Sequence, residues 1–108
     1  MSIDATLAAL ADTTRRGVID LLRKRPHRAS DLADALGASK PAMSRHLRVL
    51  RDSGLVETSS ESDGRERIYA LRRAQFAQLR EWIEDVEAFW TAQLASFKDH
   101  VERTRGKR

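Results

Sequence analysis

A tight turn between two short amphipathic segments constrains the fold of this chain more than any other feature. Gly37 can end a first helix, 31–36, in the left-handed backbone region, and Ser39 can cap the start of a second. The second helix is expected to run from Lys40 to about Ser53. Two short helices joined by a turn of about three residues that contains glycine form the helix-turn-helix pattern.

The side chains of both helices support this interpretation. Ser30 is the expected N-cap of the first helix, whose inward residues are Leu32 and Leu36. Pro41 lies in the first turn of the second helix, where its missing N–H breaks no hydrogen bond. The second helix is expected to bury a stripe that consists of Met43, Leu47 and Leu50.

Two more helices are expected before the turn motif. The first is short and amphipathic, and its apolar side consists of Ile3, Leu7 and Leu10. Asp12 is a suitable N-cap for the next helix, from Thr13 to about Lys24, which Pro26 ends. Gly17 inside that helix either permits a close approach to another helix or is tolerated at about 1 kcal/mol.

A pair of β-strands is expected after the turn motif. The segments 55–60 and 65–71 are the candidate strands, and Asp63-Gly64 between them is a strong hairpin signal. We therefore expect a β-hairpin, or wing, beside the second helix of the motif.

The C-terminal third of the chain is expected to form one long helix. No Gly or Pro interrupts it between Arg72 and Gly106, and apolar residues recur there every three or four positions. About 30 residues would span ~45 Å. Such a helix could fold back on its own domain, but it would overhang a domain this small. We therefore expect a homodimer through the terminal helices, with contacts from Ile3, Leu7, Leu10, Ile83, Val86, Trp90, Leu94 and Phe97.

Charge is distributed unevenly along the 108 residues, whose net charge is +4. The range 15–51 holds ten Arg and Lys but three Asp and no Glu, whereas 75–102 holds two basic and six acidic residues. A basic block of this kind either binds a polyanion or is an ordinary solvated surface.

Several protein classes are disfavoured by what the sequence lacks. The absence of Cys excludes disulfides, thiolate metal sites and Cys nucleophiles. There is no membrane-spanning apolar run and no signal peptide, so we expect a cytoplasmic protein. No nucleotide-binding or catalytic motif occurs, and no zinc or catalytic pattern includes any of the histidines, His27, His46 and His100. We therefore expect no enzyme activity, cofactor or metal.

The second helix of the motif is the expected element for reading double-stranded DNA. The residues opposite its buried stripe are mostly polar or basic, as major-groove recognition requires. At the hairpin tip, arginines could reach phosphates or the minor groove, although four nearby acidic residues weaken that signal. The expected DNA contacts are Ser39, Lys40, Pro41, Ser44, Arg45, Arg48, Arg51, Arg65 and Arg67.

Five segments resemble the ArsR/SmtB family of bacterial repressors, and the resemblance covers the chain from about Ala5 to about His100. They are 8–16, 31–37, 39–50, 53–56 and 64–71, and the string Ser44-Arg-His-Leu-Arg-Val-Leu50 followed by Gly54-Leu-Val is the most specific. The resemblance implies a dimeric winged helix that sits on a palindromic operator and blocks transcription, often of its own operon. It also places Pro41, Ser44 and Arg45 at the family's DNA-contact positions.

The metal-sensing residues of the family do not occur at their usual positions. The Cys-x-Cys pair is missing, since 28–35 contains no thiolate. The pattern D-x-H-x10-H-x2-E on the last helix fails when it starts at Asp85, and it also fails when it starts at Glu87. The resemblance therefore leaves the effector, if any, open.

The sequence as a whole predicts a mainly α winged helix-turn-helix with a small β-hairpin. We expect one DNA-binding and dimerisation domain, 1–103, and a frayed basic tail, 104–108. The expected function is that of a homodimeric repressor, specific for a palindromic operator and autoregulatory. The alternative is a winged-helix module for protein interaction, but its docking face would be more apolar than one bearing Arg45, Arg48 and Arg51.

Overall fold

The computed structural model of the chain describes residues 2–59 and 67–105. Within these ranges, five helices and three short strands follow one another in the order α1 (Ile3–Leu10), α2 (Thr13–Leu22), β1 (His27–Arg28), α3 (Ala29–Leu36), α4 (Lys40–Asp52), β2 (Val56–Thr58), β3 (Ile68–Leu71) and α5 (Ala74–Arg105). They divide into two compact units, Met1–Ala77 and Gln78–Arg108. The first unit contains the turn motif, so it is described first.

Side-chain caps start three of the helices of the first unit. The Asp12 carboxylate accepts a hydrogen bond from the backbone N–H of Arg15 at 3.0 Å and so caps α2. The Ser39 hydroxyl accepts from the backbone N–H of Ala42 at 3.2 Å and caps α4. Both caps are as predicted, and Ser2 caps α1 in the same way. Each cap satisfies a backbone donor that the helix itself leaves without a partner.

The prediction that Ser30 caps α3 is wrong. The N-cap residue is Arg28, which makes no side-chain cap hydrogen bond, and Ser30 lies inside the first turn. The reason is tertiary, because Arg28 and His27 form the short strand β1 and pair with β3. The chain therefore passes from a strand directly into the helix at Ala29, earlier than the cap signal indicated.

The sheet contains one more strand than predicted. Its order is β1-β3-β2, with both pairs antiparallel. His27 lies opposite Tyr69 on one side of the central strand, and Thr58 lies opposite Tyr69 on the other. The two strands expected from the sequence are therefore confirmed as a pair, although each is shorter than expected. The predicted turn, Asp63-Gly64, lies outside the described residues.

Apolar side chains from the helices and from β2 form one core. The predicted stripe of α4 is buried, and the other fully buried large apolar residues include Val18, Leu32, Leu55 and Val56. Gly17 of α2 faces Leu36 of α3, and a Cβ on Gly17 would come within 2.9 Å of a Leu36 methyl carbon. Of the two roles considered for Gly17, the structure therefore supports the close helix approach.

The helix α5 is 32 residues long, which corresponds to about 48 Å. This agrees with the long helix predicted from the sequence. Its first turn belongs to the first unit, where Gln75 is buried and Phe76 packs against the core. The remainder, from Gln78, has a row of exposed large apolar side chains that consists of Trp82, Ile83, Val86, Phe89, Trp90, Leu94 and Phe97. None of the described helices is long and apolar enough to cross a membrane.

Candidate nucleic-acid interface

The turn before α4 sets the point at which that helix begins. Gly37 has φ +63°, in the left-handed region that glycine adopts without strain. The backbone N–H of Ala38 donates to the carbonyl oxygen of Ala33 at 3.0 Å, which satisfies one carbonyl at the end of α3. Ser39 is extended and caps α4. The local chemistry of three residues thus orients the second helix of the motif relative to the first.

One side of α4 is basic and exposed. Successive residues of an α-helix are about 100° apart, so the buried stripe leaves the opposite side free. The structure brings six of the predicted DNA contacts together on this exposed side, which we call the basic face: Lys40, Pro41, Ser44, Arg45, Arg48 and Arg51. Ser39, also exposed, lies at its N-terminal end.

The three arginines of the basic face have no acidic neighbour among the described residues. Within the described parts of the chain, no carboxylate lies within 4.0 Å of the guanidinium groups of Arg45, Arg48 or Arg51. These groups carry several N–H donors each and no acceptor. The face can therefore bind anions such as phosphates, or the acceptor atoms of a guanine edge.

The sheet lies next to the first half of α4. A small open cavity of about 110 Å³ separates them, and its lining includes Lys40, Ser44 and Tyr69. Arg67 is exposed directly before β3, while the predicted contact Arg65 lies outside the described residues. The ladder toward the hairpin tip continues to Ser59, whose hydroxyl accepts from the backbone N–H of Ile68 at 3.2 Å.

The side of α4 away from the basic face carries His46, which is half-buried. Its Nδ1 lies 3.3 Å from a guanidinium nitrogen of Arg15 and 3.8 Å from a carboxylate oxygen of Asp12. The pKa of the Asp12 carboxyl is lowered, chiefly because that group accepts the hydrogen bond from the backbone N–H of Arg15. The contact of Arg15 with His46 could not be predicted from the sequence. The spacing Asp-x-x-Arg at the start of a helix indicates only the cap.

The residues expected at a dimer interface lie on α1 and α5. On α1, Leu7 is exposed, while Ile3 and Leu10 are half-buried. On α5, all five expected contacts are exposed, and the exposed fraction reaches 63% for Trp90 and 68% for Phe97. Large apolar side chains exposed in a continuous row usually mark an interaction surface.

Across the described residues, no group of three or more His, Cys, Asp or Glu side chains is arranged to hold a metal ion. Because the sequence also lacks Cys, zinc or arsenite is expected to leave DNA binding unchanged. A titration of each ion into the protein–DNA complex, followed by fluorescence anisotropy, measures this directly. Release of DNA that is abolished by substituting His27, His46 or His100 would contradict the prediction.

Comparisons with known proteins agree with this geometry. Residues 12–58 match the sequence model described as bacterial regulatory protein, arsR family. The HTH-type transcriptional regulator Rv2034 of Mycobacterium tuberculosis is 36% identical over 101 residues, which cover 94% of this chain and 90% of that protein.

Solved structures extend the agreement to the fold. An ArsR-like transcriptional regulator from Rhodococcus sp. RHA1 is 33% identical, with a TM-score of 0.76 and 90% of each chain covered. The homodimeric winged helix-turn-helix DNA-binding domain of Mb0332 from Mycobacterium bovis is 27% identical, with a TM-score of 0.63 and coverage of 80% of this chain and 78% of that one. The predicted winged helix-turn-helix fold is thereby confirmed, and the chain belongs to the ArsR family of DNA-binding transcriptional regulators.

Proposed function

We propose that this regulator is a cytoplasmic, homodimeric repressor. It recognises a palindromic operator in double-stranded DNA, including the operator of its own gene. The basic face of α4 is the observation that carries the proposal. It is exposed, it lies outside the buried stripe, and its three arginines have no acidic partner among the described residues. A helix with these properties after a Gly-containing turn is suited to the major groove.

The residues of the basic face have different proposed tasks. Ser44 and Arg45 lie in the first half of α4 and read base edges, since a guanidinium can bond two acceptors of guanine at once. Arg48 and Arg51 lie farther along the helix, where the groove curves away, and bind phosphates. Lys40, Pro41 and Ser39 contact the DNA at the N-terminal end of α4, and Arg67, with Arg65, contacts it from the wing.

The proposed dimer forms through α1 and α5. A second copy would cover the exposed apolar row of α5, which a single copy leaves in water. The Mb0332 domain, to which this chain is similar, is homodimeric, which supports the proposal. Two-fold symmetry would then present two copies of α4 to half-sites about one helical turn apart, or a multiple of it. A dimer bound in this way would block the access of the transcription machinery to the operator.

The domain limits belong to the same proposal. Residues 1–103 would form the DNA-binding and dimerisation domain, and 104–108 a basic tail. We propose no enzyme activity, in keeping with relatives that are named as regulators.

Selection of bound fragments from random duplex DNA tests the proposed function. We expect a palindromic sequence to be enriched. Binding to it should weaken steeply with salt, because a dimer that neutralises about ten phosphates has a log–log slope near −9. Anisotropy titrations at several salt concentrations measure that slope, with a scrambled duplex as the control for specificity. Absence of an enriched sequence together with a flat salt dependence would contradict the proposal and favour the protein-interaction alternative.

A further inference from the structure

Arg15 makes hydrogen bonds to two different helices from its position in the first turn of α2. Its Nε donates to the carbonyl oxygen of Ala9 at 2.6 Å, and a terminal nitrogen lies 3.4 Å from the carbonyl oxygen of Ala8. Its other terminal nitrogen lies 3.3 Å from Nδ1 of His46 on α4. One half-buried guanidinium therefore joins the C-terminal end of α1 to α4.

The contact with α1 has a clear electrostatic basis. The last carbonyl groups of a helix have no partner within it and carry partial negative charge. No basic residue occurs in the last turn of α1, so the arginines of α2 supply the positive charge. Arg16 does so as well, with a hydrogen bond to the carbonyl oxygen of Leu10 at 2.8 Å. Among the described residues, the Arg16 guanidinium makes this one hydrogen bond, whereas the Arg15 guanidinium also reaches α4.

The contact with α4 sets a condition on the hydrogen placement of His46. Because a guanidinium can only donate, a hydrogen bond between the two groups requires Nδ1 to accept, with a ring proton on Nε2. Asp12 lies beside this link, since its carboxylate accepts a hydrogen bond from the backbone N–H of Arg15 and lies 3.8 Å from Nδ1 of His46. His46 projects from the side of α4 away from the basic face, so the link holds the helix from behind.

We propose that Arg15 is a positioning residue for DNA recognition, which sets the direction of α4 relative to α1 through its bond to His46. The inference rests on the proposed function, in which α1 belongs to the dimer interface and two copies of α4 must match two half-sites. Without the bond between Arg15 and His46, each α4 can still enter a major groove. The two copies of α4 in the dimer are then no longer held at a defined separation. Arg15 thus affects binding to the whole operator and leaves binding to a single half-site nearly unchanged.

Four variants of the full chain test this role. Arg15→Gln removes the contacts of the guanidinium with α1 and with α4. Arg16→Gln is the matched control that removes one charge and one bond to α1 without touching α4. His46→Leu cuts the link at α4 and leaves α1 capped by Arg15. His46→Asn replaces Nδ1 with an amide oxygen that can still accept. Folding is monitored by thermal denaturation, and dimerisation by sedimentation.

The readout is affinity for three kinds of duplex. They are the selected palindrome, the same palindrome with one or two base pairs inserted at its centre, and a duplex with one half-site scrambled. We expect Arg15→Gln and His46→Leu to lose roughly ten-fold in affinity for the palindrome, a typical coupling between sites, and less than about two-fold for the single half-site. They should also tolerate the inserted base pairs better than the wild type does. Arg16→Gln and His46→Asn should remain close to the wild type.

Two results would overturn the positioning role alone. One is an equal loss on the palindrome and on the single half-site, and the other is an unchanged spacing preference in both Arg15→Gln and His46→Leu. Should Arg15→Gln fail to fold, His46→Leu decides by the same criteria. If the wild-type protein does not distinguish the palindrome from scrambled DNA, the proposed function itself is contradicted, and the positioning role with it.

Discussion

Replacing Trp90 with Ala is expected to turn a dimeric protein into a largely monomeric one at micromolar concentration. The indole is 63% exposed in the single chain and lies in the middle of the apolar row of α5, between Val86 and Leu94. If a second copy buries it, truncation to Ala costs about 3–5 kcal/mol of association free energy. The dissociation constant of the dimer should then rise by a factor on the order of 10²–10⁴.

Sedimentation equilibrium of the wild-type and variant proteins measures this shift. Glu81→Ala is a matched control, because Glu81 is exposed on the side of the same helix away from the apolar row and its replacement should leave the dimer intact. Since Trp90 is largely exposed in one chain, the variant should keep its circular dichroism spectrum. A wild-type protein that is already monomeric at tens of micromolar would contradict the dimer proposal.

The second large effect is expected for Arg45→Ala, and it concerns sequence preference as well as affinity. Arg45 lies on the basic face in the first half of α4, without an acidic partner among the described residues. A bidentate contact to a guanine edge contributes about 1–3 kcal/mol of discrimination. The variant should therefore bind the operator roughly ten-fold or more weakly and lose its preference at one base pair in each half-site.

Competition binding with a panel of single-base operator variants gives the preference profile. Arg48→Ala is the control, because a lost phosphate contact should weaken all sequences about equally and reduce the salt slope by about one unit for each contact removed. An Arg45→Ala profile that keeps every preference while affinity falls uniformly would assign Arg45 to a phosphate. Base reading would then move to Ser39, Lys40 or Ser44.

Local chemistry was sufficient to predict the elements that present the candidate interface. The caps Asp12 and Ser39, the left-handed Gly37 and the buried stripe of α4 are each determined by residues within one or two helical turns of one another. The length of α5 followed in the same way from an uninterrupted period of three to four residues. Signals of this kind act along the chain, so the sequence displays them directly. The basic face was predictable for the same reason, since it consists of residues of α4 that lie outside the buried stripe.

Tertiary structure alone decided the features that depend on distant partners. The strand β1 has two residues, too few for any alternating pattern, and exists because β3 pairs with it. That pairing also moved the start of α3 ahead of Ser30. The bond between Arg15 and His46 joins residues 31 positions apart, and a helix cap such as Asp12 gives no indication of it. The periodicity of a segment determines which of its sides is apolar, but only packing determines which distant side chain meets the other side.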